Sequence, residues 1–411
     1  MERTKDLEFE PEVATPPAGR VMLVENTAWS LVNFRLPLIR TLKENGFEVL
    51  TASPPDEYAS KLTTEGIHHV PIPMSRKGTN PVEDAVLAWR LLLLFRKARP
   101  DMVMTYRAKP TIYGSLAAGC LGIPVVNTIT GLGAMFVDET LLTRLAKELY
   151  RLALRRSRRV YFQNGEDLEL FRQERIVRTA RAHLIAGSGV DTDRFSPGPA
   201  DGSEDPFVFL LTARLIRDKG IGEYAEAARI LRARGRSVEC RVVGFFDPGN
   251  PAAISPEQID AWEDEGSIRY LGRSDDVVQH MRAADCIVLP SYYREGIPRT
   301  LIEGASVGRP LIAADMSGSR EVVVDGVNGF LCRPRDADDL ADRMEAMLRT
   351  SPEERRRMGK AGREKALREF DERIVLGRYL EVAKSLTATR NGASTRQASY
   401  GQGRSGIRTG R

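Results

Sequence analysis

Glu295 and Glu303 stand in the segment PSYYREGIPRTLIEGASVGRP (290–310), and the residues between them make their spacing chemically useful. DCIVLP (285–290) reads as a strand, Glu295-Gly296-Ile297-Pro298 as a loop, and a helix starts at the end of that loop. Pro298 suits the first helical position, where no N–H is needed. Gly296 lets main chain approach a ligand closely. The free N–H groups and positive dipole end of such a helix suit a diphosphate. Carboxylates accept paired hydrogen bonds from vicinal hydroxyls, as on a ribose or a sugar ring. The plainer reading is a strand–turn–helix joint with two surface glutamates. A second group lies in TARLIRDKG (212–220), after the strand FVFLLTA (207–213). There Arg214 offers a rigid fork to phosphate oxygens and Lys219 a point charge; the plainer reading is two polar residues at a helix start.

Two α/β halves would position these groups. VMLVE (21–25), FEVLTAS (47–53), IHHVPI (67–72), DMVMTY (101–106), PVVNTIT (124–130) and VYFQNG (160–165) alternate with helical patterns, among them 81–98, 110–121 and 139–158. Such alternation predicts a parallel sheet, with ligands at the C-terminal ends of its strands. Residues 187–206, dense in Gly, Pro, Asp and Ser, read as a linker. A second alternation starts at 207 and passes through strands at 238–244, 267–272, 285–290 and 309–314 and a strand-like stretch at 329–334. Two similar halves about one linker imply a cleft between them.

Composition excludes several classes. The chain has 411 residues, enough for two or three domains, with 42% hydrophobic and 28% charged residues. No run approaches the ~20 apolar residues that span a bilayer, and MERTKDLEFEPE at the N-terminus has no secretory pattern. Four scattered cysteines and four histidines give no metal-ligand or disulfide spacing and suit a reducing, cytoplasmic setting. The net charge of +5 comes largely from Arg390–Arg411, which holds five arginines and no acid, so it does not argue for nucleic-acid binding. That tail (391–411) and the acidic arm 1–18 read as disordered. Asp336 and Asp338-Asp339 sit at a helix start, where capping explains them better than a metal does.

Together, ARLIRDKG, the Tyr270-Leu271-Gly272 string, the Glu295–Glu303 block and DMSGSREVVVDGVNGFLCRP (315–334) resemble the retaining glycosyltransferases of family 4. The resemblance covers about 20–388. It implies an α/β fold of the GT-B type: two facing Rossmann-like domains, an inter-domain cleft and a C-terminal crossover helix. The implied boundaries are an N-terminal acceptor domain at 19–190, with a crossover helix at about 370–390, a linker at 191–206, and a nucleotide-sugar domain at 207–369. It also implies roles. Arg214 and Lys219 would bind the donor diphosphate, Glu295 would contact the donor sugar, and Gly296 and Ile297 would give backbone N–H groups beside the Pro298 helix start. Glu303 would hold the ribose hydroxyls, and Leu271 and Gly272 would line the base. No cofactor or metal is implied, since the nucleotide sugar, UDP-linked in preference to GDP-linked, is a substrate.

The first half resembles a narrower set, through NFRLPLIRTLKENGFEV (33–49), TYRAKPTIYGSLAA (105–118) and NTITGLG (127–133). Enzymes with these strings extend sugars on undecaprenyl diphosphate in bacterial glycan assembly, some as N-acetylgalactosaminyltransferases. Arg107, Lys109, Thr130 and Gly131 would then meet the acceptor. Two family features are missing: a glycine pair after the first strand, where Glu25-Asn26 stands, and a histidine after the fifth, where Thr130-Gly131 stands. A polyprenyl acceptor needs a membrane-docking face, placing the enzyme peripherally on the inner face of the cell membrane. Arg144, Lys147, Arg151 and Arg155 fall on one stripe of a helix, with Leu141, Leu145, Leu149 and Leu152 beside it, the pattern of an interfacial helix on an anionic leaflet. WRLLLLFRKAR (89–99) would assist. The alternatives are another lipid or soluble glycan acceptor, or a non-catalytic nucleotide-sugar-binding subunit.

Overall fold

In a computed structural model of the chain, residues 17–75, 78, 80–136, 140–198 and 206–402 are described. The first alternation folds into seven parallel strands: β1 (Gly19–Val24), β2 (Phe47–Ser53), β3 (His68–Pro71), β4 (Met102–Tyr106), β5 (Val125–Ile129), β6 (Arg159–Phe162) and β7 (Ala182–Leu184). Their order is 3-2-1-4-5-6-7. The second gives β8 (Phe207–Thr212), β9 (Val238–Val243), β10 (Arg269–Tyr270), β11 (Cys286–Leu289), β12 (Leu311–Ala314) and β13 (Gly329–Cys332), ordered 10-9-8-11-12-13. Helices cover both faces of each sheet, which is why the central strands are near-continuous apolar runs; β8 and β12 are buried along their whole length. The strand order reverses between β1 and β4 and again between β8 and β11, and crevices open at such switch points. This is the doubly wound, two-domain architecture that the alternation and the resemblance anticipated. The short β7 and the helix Gly165–Gln173 before it were not anticipated.

The chain passes between the domains twice, and the two passages are hydrogen-bonded. Val190 N–H donates to Phe370 O at 2.8 Å, and Glu372 N–H to Val190 O at 2.9 Å. Gly189 has φ +73, and a Cβ there would lie 2.4 Å from Glu372 Cα, so only glycine allows this approach. The helix Glu372–Gln402 then returns to the first domain. Its Val375, Tyr379, Val382 and Ala383 join the core formed by β1 and β4, and Tyr379 OH lies 2.7 Å from Thr128 Oγ1.

That helix runs past residue 391, where the basic tail was expected to begin, and no proline interrupts it. The rest of that tail, and residues 1–16 of the N-terminal arm, lie outside the described residues. The helical pattern at 110–121 splits. Pro110–Gly114 is a π-turn leading into the helix Ser115–Cys120, and a second π-turn, Leu31–Arg35, precedes the helix Leu36–Glu44. Both π-turns come after the strands at the first sheet's switch point, a setting in which π-bulges mark functional sites.

Candidate active site

The second sheet's switch point is assembled by a glycine. After β8 the chain makes a 3-10 turn at Arg217–Lys219 and enters the helix Ile221–Ala233 through Gly220, φ +75. A Cβ on Gly220 would lie 2.3 Å from Pro290 O, so the loop after β8 can rest on the loop after β11 only with glycine there. The contact sets Lys219 Nζ 2.6 Å from Glu295 Oε1. Ser291 Oγ lies 2.9 Å from the same oxygen. Arg214 Nη1 pairs with Asp247 Oδ2 at 3.0 Å, and Asn250 Nδ2 donates to that oxygen at 3.2 Å. Burial raises the Glu295 carboxyl, but the Lys219 ammonium, the Ser291 hydroxyl and the Arg214 charge together hold it below the ordinary value. The structure therefore brings Arg214, Lys219 and Glu295 together.

The loop that carries Glu295 is wedged between domains. Gly131 has φ +101, and a Cβ there would lie 2.5 Å from Gly296 N and 2.6 Å from Glu295 C. On the other side a Cβ on Gly318 would reach within 1.7 Å of Gly296 O. Gly296 N–H donates to Thr130 O at 3.2 Å and Ile297 N–H to Gln163 Oε1 at 3.4 Å. These contacts bear on two expectations. Gly296 and Ile297 do not present free N–H groups, because donors buried against the other domain pair there. Thr130 and Gly131, both partly exposed, pack on the Glu295 loop. Arg294 completes the wedge: its guanidinium lies 3.1 Å from Asp167 Oδ1 and donates to Phe136 O at 3.2 Å.

Glu303 lies on the helix Arg299–Ser306, which Pro298 caps from outside, one position earlier than expected. Arg299 Nε donates to Glu303 Oε1 at 2.6 Å, while Oε2 accepts no hydrogen bond from the described residues. Burial raises the Glu303 carboxyl, and Arg299 only partly offsets it. Leu271 and Gly272 follow β10, one strand out from β9, with open space beyond Gly272.

In the first domain, Arg107 follows β4 with φ +67, a left-handed conformation that costs a non-glycine residue about 1 kcal/mol or more. Lys109 pairs inside its own domain: its ammonium sits 2.7 Å from both Asp84 Oδ1, on the helix Pro81–Ala98, and Ser75 Oγ. The basic stripe also divides. Arg144 and Arg155 are exposed. Lys147 is buried and pairs with Glu174 at 3.0 Å, because the helix Leu141–Leu154 turns that position onto the neighbouring helix. Arg151 is half-buried, pairs with Glu148 and donates to Glu174 O at 2.8 Å. Asp336 caps the helix Ala337–Arg349 by accepting from Asp339 N–H at 2.9 Å, as its place at a helix start suggested.

Several residues of the site carry weaker signals in the sequence. Asp247 orients Arg214, and its signal was a carboxylate just past a strand end. Ser291 is a hydroxyl in the same position after β11. Arg299 was legible as the i−4 neighbour of Glu303. Glu25 and Arg35 are both buried at the first sheet's switch point. Ser30 Oγ donates to Glu25 at 3.0 Å, and the Arg35 guanidinium stacks 3.8 Å from the Tyr106 ring centre.

Comparison with known proteins covers both halves. Residues 20–164 match the family described as "Glycosyl transferase 4-like", and residues 195–365 match "Glycosyl transferases group 1". Over 379 residues the chain is 26% identical to N,N'-diacetylbacillosaminyl-diphospho-undecaprenol alpha-1,3-N-acetylgalactosaminyltransferase of Campylobacter jejuni, covering 88% of this chain and 98% of that one. It is 26% identical over 289 residues to UDP-Gal:alpha-D-GlcNAc-diphosphoundecaprenol alpha-1,3-galactosyltransferase of Escherichia coli, covering 66% and 72%. Among solved structures, Anabaena Alr3699/HepE in complex with UDP superposes with a TM-score of 0.72 at 20% identity, covering 89% of this chain and all of that one.

Proposed function

Because the chain belongs to the family 4 glycosyltransferases, we propose that it moves a hexose or N-acetylhexosamine from a UDP-sugar to a saccharide carried on undecaprenyl diphosphate, with retention at the anomeric carbon. The observation that supports this best is the pairing of Lys219, Ser291 and Glu295 beside Arg214, between β8 and β11 and directly under the first domain. Arg214 and Lys219 meet the donor diphosphate there and favour the charge that develops as the sugar departs. One such preorganised group is typically worth about 10²–10³ in rate. Glu295 orients Lys219 and receives donor-sugar hydroxyls. The free Oε2 of Glu303 accepts from the ribose. The acceptor hydroxyl enters from the first-domain side, on the face the diphosphate leaves, and its proton passes to the departing diphosphate. No step in this scheme calls on a metal. The acceptor named for the Campylobacter and Escherichia relatives supports a diphosphoundecaprenol-linked acceptor here.

A lipid-linked acceptor brings the enzyme to the inner face of the membrane. No helix among the described residues is long and apolar enough to cross one. Val82, Val86, Trp89 and Leu93 form an exposed stripe along the helix Pro81–Ala98, and Leu141, Leu142, Leu145 and Leu152 another on Leu141–Leu154. Both helices pack on the intervening Pro110–Gly114 turn, so they lie on one face of the first sheet. Exposed Arg90, Arg96, Lys97, Arg144 and Arg155 accompany them, and this combination suits an anionic bilayer.

The decisive experiment incubates the protein with a panel of UDP- and GDP-sugars and an undecaprenyl-diphosphate-linked saccharide, with and without EDTA, and reads the product's anomeric configuration by NMR. We expect transfer from one UDP-sugar, unaffected by EDTA, with retained configuration. An inverted product, or no turnover with any donor, overturns the proposal.

A further inference from the structure

The segment 29–35, which holds the π-turn Leu31–Arg35, touches the second domain at two places. Arg299, the first residue of the Glu303 helix, donates from its fork to Asn33 O while its Nε holds Glu303 Oε1. Its guanidinium lies 5.7 Å from the Phe34 ring. The second contact is Trp29, whose ring lies 5.9 Å from Phe245, two residues before the Asp247 that orients Arg214. Trp29 also packs edge-on against Phe34 at 5.2 Å, and Asn33 Nδ2 donates to Trp29 O at 2.8 Å, so residues 29–34 act as one unit. The turn ends at Arg35 over Tyr106, on the floor of the first domain's crevice.

One guanidinium thus grips a buried carboxylate of the donor side and the main chain of the acceptor side. Holding Oε1 of Glu303 aims Oε2, and holding Asn33 O fixes the turn that carries the buried Arg35. We propose that Arg299 is a positioning residue that couples the two substrate sites: nucleotide engagement at Glu303 fixes the turn Leu31–Arg35 for the diphosphate-linked acceptor, and acceptor engagement tightens nucleotide binding in return. The inference rests on the reading of Glu303 as the ribose carboxylate. Reciprocity follows from linkage, since two sites that bias one element change each other's affinity by the same factor. Lysine keeps the charge of Arg299 but has no planar fork with which to hold both partners.

UDP binding to the full-length protein is measured by calorimetry, with and without a saturating short-chain polyprenyl-diphosphate-linked saccharide, for wild type, Arg299→Lys and Phe34→Leu. In wild type the acceptor tightens UDP binding about tenfold, inside the usual range for coupled sites. In Arg299→Lys the ratio of UDP affinities with and without acceptor falls to within about twofold, whatever the loosened Glu303 does to UDP affinity alone, and the acceptor KM rises at sub-saturating donor. Phe34→Leu leaves Arg299 in place, loosens the turn from the other side and loses part of the enhancement, which tests the coupling even if Arg299→Lys folds poorly. A wild type that binds UDP without any enhancement, or an Arg299→Lys protein that keeps the full enhancement, overturns the coupling alone. A wild type that does not bind UDP overturns the donor site and the coupling with it.

Discussion

Replacing Lys219 with methionine keeps most of the side-chain volume and removes the ammonium from Glu295. The Lys219 side chain is 13% exposed and that of Glu295 20%, so the pair is largely desolvated. Breaking a fully buried pair costs about 3–5 kcal/mol, and the residual exposure reduces this to roughly 2–3 kcal/mol. For a domain of this size that is a melting-temperature loss of about 4–12 °C near neutral pH. The sign with pH follows from the carboxyl. In wild type its folded value is depressed, so its contribution is present above the unfolded value and is lost as pH falls through the folded one. In Lys219→Met, burial, already the largest influence on Glu295, is no longer opposed by the ammonium, and the carboxyl moves up. A raised carboxyl loses stability as pH rises through it. The gap between wild type and variant therefore widens from acid to neutral pH, which differential scanning fluorimetry across that range would record. Adding Glu295→Gln removes the orphaned charge, narrowing the gap at neutral pH, but does not restore turnover. Turnover of Lys219→Met drops about 10²–10³-fold, the usual effect of losing one charge-stabilising donor. A variant as stable as wild type at neutral pH and within threefold of its turnover would refute the pairing and its role together.

The remaining expectations test other parts of the site. Gly131→Ala places a methyl group on the Glu295 loop, so the domains cannot close as observed; turnover should fall about 10²-fold, with a larger radius of gyration by X-ray scattering and UDP affinity little changed. Because burial raises the Glu303 carboxyl, UDP affinity should begin to weaken on the acid side at a pH above the ordinary glutamate range, and Glu303→Gln should lower affinity and flatten that limb. The paired substitution Trp89→Glu and Leu93→Glu, at positions 60% and 47% exposed, should abolish flotation with anionic liposomes and leave the melting temperature within about 2 °C, since both side chains already face water. Flotation equal to wild type would remove the docking face from those helices.

The fold was legible because its signals are local. Alternation of apolar runs with helical periods is written within windows of a dozen residues, and it foretold both sheets, whereas the strand order that sets their switch points came only with the fold. Arg214, Lys219 and Glu295 could be singled out because each follows a strand end, and a strand end in a doubly wound sheet is a ligand-facing place. Glu303 stood out as the second carboxylate of the same block, on the helix after that loop. Partnership was not local. Lys219 meets a carboxylate 76 residues away, and Gly296 gives its N–H to Thr130 in the other domain, so neither contact leaves a trace in its own neighbourhood. Lys109 and Lys147 show the same limit. Lys109 was placed by a strand end, which does not fix where a side chain turns, and Lys147 by helical spacing, which defines a face only up to a rotation about the axis. Asp84 and Glu174 on neighbouring elements drew both ammoniums inward. Residue type and order thus determined which groups could do chemistry and on which elements they stand. Tertiary packing decided which of them face the crevice, because a buried charge or N–H must take whatever partner the other domain or the next helix brings within reach.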